Sequence, residues 1–536
     1  MKIMSGLSLI LTFLAFSTVS PVYVQSPEVL YDLILRGGRI VDGTGNPWYY
    51  ADLAIVDGTI ADIATEIEGG AKRELDVSGQ VVAPGFIDLH THARRGIFQV
   101  PTAENYIRQG VTTLMEGPDG SSPLPIKVFL DRVREMRTSV NFGTYVGQGS
   151  VRRQVMGLAD RHATPGELGE MLELVRQAMR EGAFGLSTGF FYVPGAFTST
   201  EEVVELARAA GELGGFHTSH MRDEAAGILD SVRETISIGE GGGLPTHITH
   251  HKIVGVPNWG KSIDSLKLIE QARAKGIDIT TDQYPYTASS SGLQPVFLPS
   301  WALEGGREAM LKRLSDPQTR AEIHREVARR IEVDRGGGDP ANVVIALCEW
   351  DQSLNGKSLA DIMRDLGEEV TIDNAAETVL RLVKHGGARA IFHAMDEADL
   401  ERILSSPFTM VASDGEVPIF GQAFPHPRSY GTFARVLGRY VRERSVLSLE
   451  NAVRKMSSLP AQRLGLLHRG VLRPGMKADL SVFDPDSVID KATFEAPHQY
   501  AEGFSIVVVN GEIVFENGQT TSARPGQVIY GSATVQ

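Results

Sequence analysis

Three textures of apolar and polar positions succeed one another along the chain. YDLILRGGRIVDGTG and DLAIVDGTIADIA are short β-branched runs separated by DG and GG pairs, the pattern of β-hairpins. The carboxy-terminal stretch repeats it, with KADLSVFDPD and then FSIVVVNGEIVFENGQ around an NG turn at Asn510–Gly511. Between these ends strand-like and helix-like segments alternate. TPGELGEMLELVRQAMREG predicts a helix capped by Thr164, with Pro165 in its first turn, Leu168, Met171, Leu172, Val175 and Met179 on one face, and a stop at Gly182. AFGLSTG, FHTSHM, THITHH and IDITTDQYPY follow as strands, separated by helices near 201–214, 225–238 and 262–276. Repeated βα units predict a parallel sheet covered by helices, and no repeat of 20–50 residues competes with that reading.

Barrel-strand candidates lie near 86–92, 111–116, 142–147, 184–188, 215–221, 246–251, 277–284, 388–394 and 408–414. A closed (β/α)8 barrel uses eight, so one candidate is surplus, and the pattern does not say which. Residues 287–350 break the alternation with Ser/Gly/Pro-rich stretches, the single cysteine Cys348 and a charged helix near 306–331 that reads as a solvated face. The expected organisation is an α/β fold: a TIM-like barrel over 86–459 with an insertion at about 287–350. A small β-sandwich domain would be built from both chain ends, 27–85 and 460–536. Residues 1–26 read as a signal peptide, because Lys2 precedes an apolar run from Leu7 to Phe16 and then small residues. That run is about half the ~20 apolar residues of a membrane span, so a periplasmic or secreted protein is expected, with an uncleaved anchor as the alternative.

Composition narrows the function. Sixty-six acidic against 52 basic side chains give a net charge of −14, which disfavours nucleic-acid or anionic-membrane partners. One cysteine excludes an internal disulfide framework and any multi-cysteine metal site. Fourteen histidines point elsewhere. In GFIDLHTH, His90 and His92 are two apart and so face one side of a strand. His220 lies late in FHTSHM, His250 late in THITHH, and Asp414 closes TMVASDG. Each donor stands at the carboxyl end of a predicted parallel strand, where barrel active sites form, and together they suit a zinc-like hydrolytic centre. His217 and His247 fall on the opposite strand face and read as structural, whereas the choice between His250 and neighbouring His251 stays open. No phosphate loop or dinucleotide fingerprint occurs, and Ser187 has no evident triad partner.

The motifs APGFIDLHTH, GVTT, GLSTGFFYVPG, SHMRDE, THHK with NWGKS, DQYPYTASS, VASDG, HPRSYGTF and SSLPAQRLGL together resemble the amidohydrolase superfamily. Within it they are similar to the N-acyl-D-amino-acid deacylases, from about Asp32 to Ile529. The resemblance implies one or two zinc ions, or another divalent metal, and a small-molecule N-acyl amino-acid substrate. It implies His90, His92, His220, His250 and Asp414 as ligands, with Asp414 also the general base. It implies Arg428, Lys252, Tyr284, Tyr192 and Ser290 as the substrate pocket, Arg428 gripping the α-carboxylate. Two departures stand out. MEGPDG replaces the family's cysteine-bearing GNCG, which offers Asp119 at the cysteine position and Glu116 as a second acidic candidate ligand. Gln148 stands where the family has a histidine near the scissile carbonyl, and it would have to donate there in that residue's stead. STG at 187–189 lacks the lysine of the hydantoinase and dihydroorotase branches. Cyclic-amide or dipeptide hydrolysis and a catalytically altered binding protein are the other readings.

Overall fold

A computed structural model describes residues 30–534, so the amino-terminal signal expectation lies outside the described residues. Among them, no helix is long and apolar enough to cross a membrane.

Both chain ends build one nine-stranded sheet. Asp57–Gly58 and Asn510–Gly511 all take positive φ, as tight hairpin turns between twisted strands require. The first joins Tyr49–Val56 to Thr59–Ala64 and the second joins Phe504–Val509 to Glu512–Glu516. The two halves meet where Leu480–Phe483 runs antiparallel to Val81–Pro84. Leu35, Leu53, Val82, Leu480, Val482 and Val508 share the apolar core beneath them.

The barrel strands are Phe86–Asp88, Val111–Glu116, Asn141–Thr144 continuing as Val146–Gly147, Gly185–Gly189, Phe216–His220, Thr246–Ile248, Ile279–Gln283 and Thr409–Val411. Neighbours pair in parallel, and a parallel bridge between Thr91 and Gly415 joins the first strand's end to the last. The helix Pro165–Arg180 starts at a reciprocal capping box of Thr164 and Glu167 and buries Met171, Val175 and Met179, as its pattern predicts.

The surplus candidate is the one near 388–394. Arg389–His393 pairs antiparallel with Ala288–Gly292 and Val343–Leu347, in a separate sheet with its own core. The insertion therefore runs from Ala288 to His393, well beyond residue 350. The charged segment near 306–331 is two helices, Gly306–Ser315 and Pro317–Val333, separated at Asp316. It is not simply a solvated face, since Met310, Leu314, Ile323, Val327 and Ile331 pack into the insertion core beside buried Cys348.

A buried polar knot fastens the small domain to the barrel floor. Asp479 pairs with Arg469 and accepts from the Asn510 amide at 2.8 Å and from Asn141 Nδ2 at 3.2 Å; Asn510 Nδ2 donates to Asn141 Oδ1 at 2.8 Å. Asp479 and Arg469 are both buried. Asp479→Ala strands a guanidinium away from water and should cost about 3–5 kcal/mol. Chemical denaturation will show this as a lowered midpoint, and a midpoint equal to wild type would remove the knot from the account of how the domains are joined.

Candidate metal centre

Asp119 sits at the middle of the site. It follows the strand Val111–Glu116 in a tight loop, with φ +57° at Asp119 and positive φ at Gly117 and Gly120. A Cβ at Gly189 would lie 2.1 Å from the Asp119 carbonyl oxygen, so only glycine lets this loop press onto the neighbouring strand. His250 and Asp414 also have positive φ, +34° and +51°, an uncommon conformation for residues with side chains that concentrates at functional sites.

Two donor groups share the Asp119 carboxylate: His90, His92, Asp119 and Asp414 in one, Asp119, His220 and His250 in the other. In the first, Asp119 Oδ2 is 3.4 Å from His92 Nε2. Asp414 Oδ1 is 3.1 Å from His92 Nε2 and 3.4 Å from His90 Nε2. In the second, Asp119 Oδ1 lies 3.5 Å from His220 Nδ1 and from His250 Nε2, and those two nitrogens are 2.8 Å apart. The same oxygen is 3.5 Å from His90 Nε2. Burial alone would lower the His90 pKa, but the Asp119 and Asp414 carboxylates outweigh it and hold it well above the ordinary imidazole value. Both carboxyls are held well below theirs against the opposing effect of burial: Asp119 by His90 and His220, Asp414 by Arg428 and His90.

The chemistry of these donors fits a divalent cation. Both ring nitrogens of fully buried His90, Asp119 Oδ1 and His220 Nε2 have no hydrogen-bond partner. Of these, His90 Nε2 and Asp119 Oδ1 face one another at 3.5 Å, whereas His90 Nδ1 and His220 Nε2 point outward to Asp282 and Glu224. Buried polar atoms are paired as a rule, and a facing pair of unpaired lone pairs is what a metal ion satisfies.

A supporting layer orients the ligands. Asp282 Oδ1 accepts from the His250 amide at 2.6 Å, and its Oδ2 lies 2.8 Å from His247 Nε2. His250 Nδ1 is 2.7 Å from Lys252 Nζ and 3.1 Å from Glu224 Oε1. Glu224 in turn pairs with Lys252 and, at 3.0 Å, with Arg335. Such outer partners fix ring orientation and tautomer. His217, between Thr188 and Thr246, is structural, and His251 points to Ser265 Oγ at 3.0 Å, outside both donor groups. Glu224 and Asp282 were missed at the level of sequence. Their only signal is position, four residues after His220 and at the head of DQYPY.

The remaining candidates divide. Glu116 lies outside both donor groups: its Oε2 accepts from the Arg94 amide at 2.9 Å and its Oε1 is 3.4 Å from Arg94 Nε. Lys252 is buried and engaged by Glu224 and His250, which leaves it a support for a ligand and not a free anchor. Gln148 is fully buried, donates to Thr198 Oγ1 at 2.9 Å, and does not line the cavity beside His92 and Asp119. Tyr192 and Ser290 do line that cavity, of about 460 Å³. Arg428 Nη1 stands 2.7 Å from Asp414 Oδ2, with its guanidinium 4.7 Å from the ring centre of buried Tyr284. Arg94, Arg95 and Arg389 also face the cavity, and none was singled out from sequence.

The family profile described as "Amidohydrolase family" matches residues 73–515. A D-aminoacylase from Alcaligenes xylosoxydans xylosoxydans is 36% identical over 532 residues, covering 95% of this chain and 99% of that one. An N-acyl-D-glutamate deacylase from the same organism is 34% identical, over 94% and 97%. The crystal structure of N-acyl-D-glutamate deacylase from Bordetella bronchiseptica, complexed with zinc and a phosphonate inhibitor that mimics the tetrahedral intermediate, superposes with a TM-score of 0.81 at 35% identity. It covers 94% of this chain and all of that one. With a parallel barrel, a β domain from both chain ends and a histidine–aspartate donor cluster at the strand ends, the chain belongs to the amidohydrolase family.

Proposed function

We propose that this protein is an exported, zinc-dependent deacylase that hydrolyses N-acyl-D-amino acids to a D-amino acid and a carboxylic acid. One observation carries the reading: the two oxygens of Asp414 face different partners, Oδ1 toward His90 and His92 and Oδ2 toward Arg428. One carboxylate thus lies between the donors that would hold metal and the guanidinium suited to a substrate carboxylate. Relatives named for deacylation of N-acyl-D-amino acids, one of them with zinc, support the substrate class and the metal. The apolar run at Leu7–Phe16 supports export.

His90, His92, Asp119 and Asp414 would hold one ion and Asp119, His220 and His250 a second, Asp119 belonging to both groups. Divalent metal bound there supplies Lewis acidity, which lowers the pKa of water and polarises the acyl carbonyl. Arg428 pairs bidentately with the substrate α-carboxylate, a planar match that lysine cannot make. With carboxylate and acyl group both held, only one hand of the α-carbon directs its side chain into open space. Asp414 then accepts the proton of the attacking water as the new C–O bond forms. It passes that proton to the nitrogen as the C–N bond breaks, so the amine leaves neutral. Gln148 has no part in these steps.

Asp414→Asn removes the proton acceptor and should reduce kcat by about 10²–10⁴-fold, read from hydrolysis of N-acetyl-D-amino acids by protein whose circular dichroism is unchanged. Retained kcat would exclude Asp414 as the base. Metal analysis gives a separate test. Wild type loaded with zinc should hold two equivalents, and Asp119→Ala should lose metal from both groups. Glu116→Gln should keep the wild-type content, and the opposite pattern would make Glu116 the ligand.

A further inference from the structure

The cavity over the donors carries more positive charge than the reaction requires. Arg94, Arg95, Arg153 and Arg389 all line it, and Asp119 is the sole carboxylate among its lining residues. Arg94, Arg95 and Arg389 also line the adjoining cavity that holds Asp414, Glu416 and Arg428, so the three stand where the two spaces meet. Two carboxylates, Glu116 and Glu416, serve the four guanidinium groups. Arg94 has Glu116, and Arg95 (at 2.7 Å) and Arg389 share the single Glu416. Among the described residues, Arg153 donates only to the Val193 carbonyl, at 3.2 Å. One arginine would neutralise Glu416, and the second leaves a positive charge at the cavity wall. Burial and the neighbouring cations Arg95 and Arg428 act together to lower the Arg389 pKa, with Glu416 opposing them. This concentration of cations occurs in a protein of net charge −14, where an average surface would be acidic.

We infer that Arg389 and Arg95, supported by Arg94 and Arg153, form a second anion subsite, and that the preferred substrate carries a second carboxylate besides the one held by Arg428. This rests on the deacylase reading and narrows it to dianionic N-acyl-D-amino acids. The second carboxylate belongs either to an acidic D side chain or to a dicarboxylic acyl group; both present the same group to a guanidinium fork.

Steady-state kinetics of the zinc-loaded full chain with N-acetyl-D-glutamate, N-acetyl-D-aspartate, N-succinyl-D-leucine and N-acetyl-D-leucine test this. At least one dianion should exceed N-acetyl-D-leucine in kcat/KM by about tenfold or more. Preference for the first two substrates assigns the subsite to the side chain, and preference for the third assigns it to the acyl group. In Arg389→Met the ratio of dianion to monoanion should fall by about tenfold or more, mainly through KM. In wild type, with no variant needed, the ratio should shrink as salt rises from about 0.01 M to 1 M, where the screening length contracts from about 30 Å to 3 Å. N-acetyl-D-leucine matching every dianion, a ratio untouched by salt, or a folded Arg389→Met with the wild-type ratio would overturn the subsite and leave deacylation standing. No turnover of any of the four by metal-loaded protein would remove the deacylase reading, and the subsite with it.

Discussion

The site depends on the cost of keeping unpaired lone pairs dry. Among the described residues, His90 Nε2 and Asp119 Oδ1 are buried without hydrogen-bond partners and lie 3.5 Å apart. Each such atom costs about 1–3 kcal/mol when left unsatisfied, and an uncompensated charge costs more. A fold that converges this many donors on one carboxylate is stable only if a cation is there to take them, or if the surroundings hold them in place until it arrives. The second provision is visible. Asp282 clamps the His250 backbone and His247, and Glu224 ties Lys252, Arg335 and His250 into one paired network. The His250 ring is thereby oriented by the protein itself and does not depend on the ion for its direction.

The same constraint explains what sequence could and could not reveal. Position just at or past the carboxyl ends of parallel strands is what marks His90, His92, His220 and Asp414; of these only His220 lies within its strand, where the period of two fixes its facing. At His250 the strand has already ended at Ile248, and a left-handed residue redirects the chain, so the period of two could not choose between positions 250 and 251. Asp119 against Glu116 is the same problem. Glu116 ends a strand and Asp119 stands in a loop whose direction is set by Gly117, Gly120 and the close approach of Gly189. Lys252 looked like a free cation because its partner, Glu224, is 28 residues away in sequence. The surplus strand candidate could not be told from a barrel strand, since a short segment with a buried apolar centre, Ala390–Phe392, reads alike in a parallel barrel and in the small antiparallel sheet it joins.

That misassigned strand matters beyond topology. Arg389 opens it and Ser290 lies on its partner Ala288–Gly292, so the insertion supplies one wall of the cavity while the barrel supplies the metal donors. The two contributions have separate cores, one around Phe86, Leu114 and Leu186 and one around Phe297, Val379 and Phe392. The two are nonetheless joined directly, by the buried Arg335–Glu224 pair and by Phe191 packed against the insertion core. Substitutions at Arg389 or Ser290 thus act on the cavity wall, whereas one at Arg335 would reach His250 through Glu224.

The charge distribution follows the same division. An overall charge of −14 repels an anionic substrate at long range, yet beyond a Debye length of about 8 Å at physiological salt that field is screened. What an approaching carboxylate meets near the mouth is the local set: Arg153 exposed at the rim, then Arg94, Arg95 and Arg389, then Arg428 beside Asp414. Low-dielectric walls strengthen this inner field and water weakens the outer one, so the cavity can attract an anion that the rest of the surface would turn away. Apart from Arg428, which takes Oδ2 of Asp414, the inner cations Arg94, Arg95 and Arg389 are occupied by carboxylates that are not donors. Glu116 is held by Arg94, Glu416 by Arg95 and Arg389, and Glu224 by Lys252 and Arg335, which leaves Asp119 and Asp414 as the carboxylates available to an ion.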